Sequence, residues 1–297
     1  MRPWGGVWNH QIVCAILMVL SYQSLDATTV LESASLKVAS MGGSAVVMPM
    51  DGDALAMNPA GMVLDAPSSM VLGFGSFYSQ MMQTALIGVG VPLSSNLGFM
   101  AAAATRVMGD IPDTIMGPFG TGLQVGQFSD TESEFRAGVC WEVWPQLQLG
   151  SSVGYTHHTI LDAISQQVSI DVGGQVKLDR FQLGGVIKNV FQTPIKWHDD
   201  TIERVPMTMG LGMGVSLFPS LSVYSGVLVS DRATVSLSVV NQWWEGVSVT
   251  LSFPQLNESM QPNAGVSCRF QDMTFQYAFS QHEALGSTHH IGVLIDW

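Results

Sequence analysis

From Ser69 onward, apolar and polar positions alternate along the chain in short segments. Met207, Met209, Leu211, Met213, Val215 and Leu217 alternate with Thr208, Gly210, Gly212, Gly214 and Ser216. Val235, Leu237 and Val239 alternate with Thr234, Ser236 and Ser238, and Val247, Val249, Leu251 and Phe253 with Ser248, Thr250 and Ser252. Val168, Ile170, Val172 and Val176 are interleaved with Gln167, Ser169, Asp171, Gly173, Gln175 and Lys177. Successive strand side chains point to opposite faces, so each segment has one apolar face and one small, polar or charged face. Fourteen such segments begin near Ser69, Gln83, Leu97, Ser133, Gln146, Ser165, Gln182, Pro206, Leu221, Thr234, Gly246, Asn263, Met273 and Thr288. Each is about ten residues long, the length a tilted strand needs to cross a bilayer.

The connections between segments sort by parity. The even ones are short, around Ser94-Ser95, Pro145, Asp179-Arg180, Pro219, Glu245 and Gln271-Asp272. Several odd ones read as long: Gly109–Glu132, Phe191–Val205, Pro254–Pro262 and Ser280–Ser287, while Gln80-Met81 and Asp231–Ala233 are short. An even strand count with short turns on one side and longer loops on the other predicts an all-β, transmembrane antiparallel barrel over residues 68–297, with periplasmic short turns. Arg136, Glu142, Asp171, Lys177 and Arg269 fall on the polar parity and are expected to line the lumen; Cys140 points inward and Cys268 outward. Aromatic residues such as Trp141, Trp144, Phe181, Phe218, Trp243, Trp244 and Trp297 sit at segment ends, where interfacial belts form. Ile291, Val293, Ile295 and Trp297 form one face of a strand that looks like the closing strand of a bacterial outer-membrane barrel. That likeness implies recognition by the barrel-assembly machinery through the strand ending at Trp297.

Composition agrees. Only 11% of residues are charged, against about 25% in ordinary soluble domains. Hydrophobic residues make up 47% and mean hydropathy is +0.29, yet no apolar run after the N-terminus reaches the roughly 18 residues of a membrane helix. The net charge of −12 argues against nucleic acid, whose phosphates call for Lys and Arg. Residues 1–27 read as a secretory signal: Arg2, the apolar run Ile12–Leu20, and cleavage after Ala27 or Ser24. The expected location is the outer membrane, with its lipid as a partner.

Chemistry-bearing motifs are sparse. Gly210-Leu-Gly-Met-Gly lies on a strand pattern without a following helix or lysine, so it is no nucleotide loop. There is no Gly-x-Ser-x-Gly elbow, and His282-Glu283 has no second histidine four residues on. His157, His158, His198, His282, His289 and His290 map to the outer side, where they are read as solvated loop residues rather than a metal site. Catalysis, cofactor and metal are therefore not expected.

Residues 28–67 differ in kind. Small residues crowd Ser35-Leu-Lys-Val-Ala-Ser-Met-Gly-Gly-Ser-Ala-Val-Val47 and Asp51-Gly-Asp-Ala-Leu-Ala-Met-Asn-Pro-Ala-Gly-Met62. Proline disfavours helix at the preceding residue, so Asn58 is expected to be extended or in a turn, and Asp53–Met57 could form a helical turn capped by Asp51 or Asp53. Such a stretch suits a compact plug inside a barrel. Met48, Met50, Met57 and Met62 crowd it, and methionine adapts to irregular apolar surroundings.

Met41-Gly-Gly-Ser-Ala followed by Asp53-Ala-Leu-Ala-Met-Asn-Pro-Ala-Gly61 resembles the N-terminal signature of the FadL-like outer-membrane transporters, and more closely that of their PorV/PorQ and UPF0164 relatives. Val186-Ile-Lys-Asn-Val190, Glu203-Arg-Val-Pro206, Gln242-Trp-Trp, Phe275–Ser280 and Leu285–His289 resemble the same families in order and spacing. The resemblance implies a fourteen-stranded barrel with an N-terminal hatch, in which Asp53, Asn58, Pro59, Ala60 and Gly61 belong to the gating region. It implies passive uptake of hydrophobic, fatty-acid-like small molecules. The alternative, from the PorV branch, is a component of a protein secretion system or a surface scaffold, with secretion proteins as partners.

Overall fold

The computed structural model describes residues 29–116, 122–161, 163–197, 202–257 and 261–297. Each alternating segment forms a strand: β1 (Ser69–Phe77), β2 (Met82–Ser94), β3 (Leu97–Met116), β4 (Gly122–Trp144), β5 (Leu147–Ile160), β6 (Ala163–Leu178) and β7 (Phe181–Gln192). A two-stranded hairpin, β8 (Ile195–Lys196) and β9 (Ile202–Glu203), interrupts the series. It continues as β10 (Thr208–Phe218), β11 (Leu221–Val229), β12 (Ala233–Trp244), β13 (Val247–Phe253), β14 (Asn263–Phe270), β15 (Met273–His282) and β16 (Gly286–Asp296). β1 to β7 and β10 to β16 pair in sequence order, and β1 closes on β16 from Ser69↔Asp296 to Ser76↔His289. The result is a closed, antiparallel, fourteen-stranded barrel. Closure leaves no unpaired strand edge, the condition for a sheet to stand in lipid.

Period two decides which face meets what. On β10, Met209, Leu211 and Met213 point outward and are exposed, while Gly210 and Gly214 on the same strand are buried. Trp144, Phe218, Trp243, Trp244, Phe270 and Trp297 are exposed near one end of the barrel. An apolar outer band with an aromatic rim is the surface of a barrel that crosses a bilayer with its strands. None of the described helices is long and apolar enough to cross by itself.

At that same end every connection between barrel strands is two residues long, from 95–96 to 271–272. At the opposite end the connections vary, and here the structure corrects the sequence reading. Gly109–Glu132 is mostly strand: β3 runs on to Met116 and β4 begins at Gly122, eleven residues before the expected start at Ser133. Thr105, Val107, Thr131 and similar polar or β-branched residues continue the pairing beyond the apolar band, with a bulge between Met108 and Ile111. A polar stretch ended the hydrophobic alternation without ending the strand. Ser280–Ser287 is likewise not a long loop, since only residues 283–285 separate β15 from β16. The 193–207 connection carries the β8–β9 hairpin.

Residues 29–67 fill the barrel interior. Helices α1 (Val30–Ala34) and α2 (Leu36–Met41) are followed by 3-10 turns at Gly42–Val47, Ala54–Ala56 and Pro59–Gly61. Val30, Leu31, Ala45, Val46, Val47, Met50, Leu55 and Met57 are buried, and they pack against inward residues of the wall such as Leu86, Met100, Val186 and Leu294. The molecule's hydrophobic core is thus the contact between this inner segment and the barrel wall. The signal segment expected over residues 1–27 lies outside the described residues.

Candidate functional site

The inner segment begins with a reciprocal cap. The Thr29 hydroxyl accepts from the Glu32 N–H at 3.2 Å and the Glu32 carboxylate accepts from the Thr29 N–H at 2.9 Å. This is a capping box, readable in the sequence as Thr-x-x-Glu. The other oxygen of Glu32 pairs with the Lys188 ammonium, which also donates to the Ala56 carbonyl at 2.6 Å. Lys188 points inward on the parity of Gly184 and Val186, and a bulge in β7 then turns Asn189 inward as well: Ile170 pairs with Phe191 and Val172 with Ile187, so Lys188, Asn189 and Val190 lie opposite Asp171 alone. Asp171 accepts the Asn189 N–H at 2.8 Å, and Asn189 takes a positive φ of 56°. Bulges commonly re-aim a side chain in this way.

Beside this pair lies a second buried ion group. The Arg136 guanidinium donates to Glu134 at 2.9 Å, to Asp171, and to the Ser152 and Ser169 hydroxyls at 3.2 and 3.1 Å. Glu134 also accepts from the Leu31 N–H at 3.1 Å, the start of α1. Two groups of ions on β4, β6 and β7 therefore hold the first helix of the inner segment.

Asp53, Asn58, Pro59, Ala60 and Gly61 are all buried, and the turn at 59–61 lies against β5 and β6. Asn58 is extended, with φ −143° and ψ 111°, and its amide donates to the Val46 carbonyl at 2.8 Å while its oxygen accepts the Ala60 N–H at 3.0 Å. Pro59 opens the 3-10 turn that follows. The expected cap at Ala54–Ala56 is absent: no side chain caps this turn, and the Asp53 carboxylate instead accepts from the Ser35 hydroxyl at 2.7 Å. Ser35 also caps α2 through the Val38 N–H, so Asp53 ties the two halves of the segment together.

These residues press on the wall where it carries glycine. A Cβ at Gly150 would lie 2.3 Å from the Pro59 carbonyl carbon, and one at Gly173 would lie 2.1 Å from the Asn58 oxygen. The same holds for Gly88 against Gly52, Gly184 against Val46 and Gly226 against Gly43. At Gly150, Gly88, Gly184 and Gly226 the missing side chains let two backbones meet directly, and at Gly173 the space is taken by the Asn58 side chain.

The charges expected in the lumen divide. Arg136 and Asp171 are buried at its centre. Glu142 and Lys177 are half-buried on the last turns of β4 and β6 toward the short-turn end. Arg269 lies outside the lumen, exposed on the rim and bonded to Asp296 at 2.9 Å. Among the histidines, His290 is not a loop residue: it is buried inside the wall, against Phe77 at a ring distance of 4.7 Å. His158 pairs with Asp130 at 2.6 Å, and His198 lies outside the described residues. Cys140 is buried and Cys268 exposed, as parity required. Among the described residues no group of His, Cys, Asp and Glu could hold a metal ion.

Sequence reading missed Glu32, Glu134 and Lys188. Glu134 shares the parity of Arg136, and Glu32 completes the capping box, so both carried a signal. Lys188 carried one too, since it shares the parity of Gly184 and Val186 and falls on the lumen side by alternation alone.

Burial raises the Asp53 carboxyl above the ordinary carboxylate range, although Lys37 and the Ser35 hydroxyl pull the other way. Burial lowers Lys37, but Asp51 and Asp53 outweigh it and the net shift is upward, so Lys37 stays charged across neutral pH. A raised carboxyl means the folded state holds a proton that the unfolded state gives up near pH 3.9. Its contribution is complete below that value and is lost as pH rises through the raised one. Hydrogen exchange in residues 29–67, corrected for intrinsic rates, is expected to speed up as pH rises from the ordinary carboxylate range toward neutrality, and Asp53→Asn to flatten the response. Equal pH slopes in the two proteins would remove Asp53 as the cause.

No family model and no curated protein matches the sequence. Solved structures do match the fold. The Pseudomonas putida toluene transporter TodX superposes with a TM-score of 0.61 at 12% identity, over 86% of this chain and 95% of that one. The CymD monoaromatic hydrocarbon channel gives 0.60 at 8% identity, over 89% and 99%. A Pseudomonas aeruginosa FadL homologue gives 0.54 at 11% identity, over 86% and 98%. At these identities the likeness is one of fold: a FadL-like barrel.

Proposed function

We propose that the protein is an outer-membrane conduit for the passive uptake of hydrophobic small molecules, fatty-acid-like or aromatic, with residues 28–67 as its hatch. One observation carries the reading: the barrel lumen is closed by a separate, apolar inner segment held through side chains and glycine contacts rather than by wall strands. Such a segment can shift without unpairing the sheet. The fold shared with hydrocarbon channels supports the same function. Permeation needs no covalent chemistry; the apolar contacts of the hatch supply affinity for an apolar permeant. In this reading residues 1–27 are a signal peptide, the short-turn end faces the periplasm, and Asp53, Asn58, Pro59, Ala60 and Gly61 anchor the hatch.

The test is uptake of labelled oleate and of toluene by intact Gram-negative cells that lack a channel of this kind. Producing the protein is expected to raise the initial rate for at least one of them. The alternative reading, a PorV-like secretion component, predicts no change in either rate and a polypeptide that co-purifies with the barrel.

A further inference from the structure

The inner segment is held unevenly around its circumference. Toward β4–β7 it is tied by the buried ions of Glu134, Arg136 and Lys188. Toward β13 and β14 the ties are neutral: Ser252 donates to the Ser40 carbonyl at 2.6 Å and the Asn263 amide to the Ala39 carbonyl at 2.8 Å. On this second side a cavity of about 70 Å³ lies between α2 and the wall. It is near the short-turn end, since Ser248 and Ser267 on its rim stand close to the 245–246 and 271–272 turns.

The lining is two-faced. Leu36, Met41, Met48 and Val240 form an apolar side, and Thr250, Ser267 and Gln276 a polar one. Among the described residues the Gln276 amide makes no hydrogen bond, so it offers a donor and an acceptor. The Ser267 hydroxyl shares one bond with Ser248 at 2.6 Å and retains further capacity. Lys37 reaches the edge, but its ammonium is already paired with Asp51 at 2.8 Å. The cavity thus presents hydrogen-bonding groups without an unpaired charge, which suits a neutral ligand. An engineered apolar cavity of about 150 Å³ holds benzene. About half that room is present beside α2, and two flexible methionines border it.

We propose that this cavity is a binding site on the conduit. It takes a small neutral amphiphile, with its apolar body on the Leu36, Met41, Met48 and Val240 side and its hydroxyl or carbonyl on Ser267 and Gln276. It empties toward the short-turn end as α2 tilts away from β13 and β14, while the ion-held side stays in place. This inference rests on the conduit reading above.

Two experiments test it. First, the purified full-length barrel is irradiated with 3-azi-1-butanol, a small diazirine alcohol, and the labelled peptides are mapped. Label is expected in residues 36–48 and in β12, with occupancy about fivefold lower in Gln276→Leu, the effect of one lost hydrogen bond. Label confined to the outward apolar face overturns the site. Second, α2 is locked to the wall. A Cβ at Gly265 would lie 2.8 Å from the Ser40 Cβ, closer than the roughly 3.5–4.5 Å of a disulfide, so the bond forms once α2 gives way slightly from the wall. Ser40→Cys with Gly265→Cys, in a Cys268→Ser background, is expected to abolish uptake in cells until dithiothreitol is added. Cys268→Ser alone, an outward-facing change without the introduced pair, is the control and is expected to leave uptake unchanged. If the parent barrel takes up its permeant and the α2 lock does not slow it, the inference falls alone. If the parent moves neither oleate nor toluene, the conduit reading falls and takes the inference with it.

Discussion

Replacing Arg136 with methionine is expected to destabilise the protein by about 3–5 kcal/mol, the usual result of stranding buried charges. Arg136 and Glu134 are 4% and 1% exposed, and Asp171 is 2% exposed. Without the guanidinium, two carboxylates sit in the interior with one cation removed. Glu134 retains the Leu31 N–H and Asp171 the Asn189 N–H, but neither is a charge. The carboxylates would then take up protons or open the structure to water, and α1 would lose the residue that orients its anchor. Denaturant unfolding in lipid, followed by tryptophan emission, checks the magnitude. A loss below about 1 kcal/mol would mean that the group is hydrated or that Lys188 takes over the role. The companion variant, with Glu134→Met and Asp171→Leu added to Arg136→Met, is expected to regain much of the loss, because replacing a whole buried ion group with apolar residues is often close to neutral.

Valine at position 150 is expected to unseat the inner segment while the barrel stays closed. A Cβ at Gly150 would be 2.4 Å from the Ala60 nitrogen and 2.3 Å from the Pro59 carbonyl carbon. Both are backbone atoms, so no side chain can turn aside. The wall cannot yield either, since Gly150 is paired on both sides, with Cys140 and with Gly173. Overpacking of this kind typically costs about 1–3 kcal/mol, and more where backbone must move. Lys37 supplies a direct readout. It is the only lysine or arginine between Thr29 and Pro67, it is half-buried, and it is paired with Asp51. Brief trypsin treatment of the folded barrel is expected to spare this bond in the parent and to cut it in Gly150→Val. Gly185→Val serves as the control: its Cβ would meet only Leu211 at 3.4 Å and more distant atoms, so it is expected to leave Lys37 protected. Cleavage at equal rates in the parent and Gly150→Val would show that the contact does not seat the segment.

The barrel was legible because a strand in a closed transmembrane sheet answers to two solvents at once. Lipid demands apolar side chains on one face, the lumen accepts small or polar ones on the other, and period two carries that division into the sequence. It placed Met209, Leu211 and Met213 outside, Cys140 inside and Cys268 outside. The same rule failed at β3 and β4 beyond the apolar band, where water replaces lipid and strand pairing continues without the pattern. It also failed at Arg269, because parity fixes the side of the sheet but not the height along the barrel. At the rim an inward residue is in solvent.

Local chemistry carried part of the inner segment. Asn58 before Pro59 could only be extended or in a turn, and Thr29 with Glu32 could cap a helix start; each is settled within a few residues. What joins the segment to the wall was decided elsewhere. Lys188 meets Glu32 across 156 positions of sequence and Leu31 meets Glu134 across 103, and no local propensity encodes such distances. The glycines were visible as small residues on the lumen side of strands, but the need for glycine at 150 and 173 arises only when the Pro59-Ala60 backbone and the Asn58 side chain are brought against them. The sequence by itself determined a fourteen-stranded barrel with a distinct N-terminal segment, because alternation is a local response to lipid and water. Only the tertiary structure decided how that segment is held, because its ion pairs and backbone contacts exist once closure of the sheet brings remote strands around it.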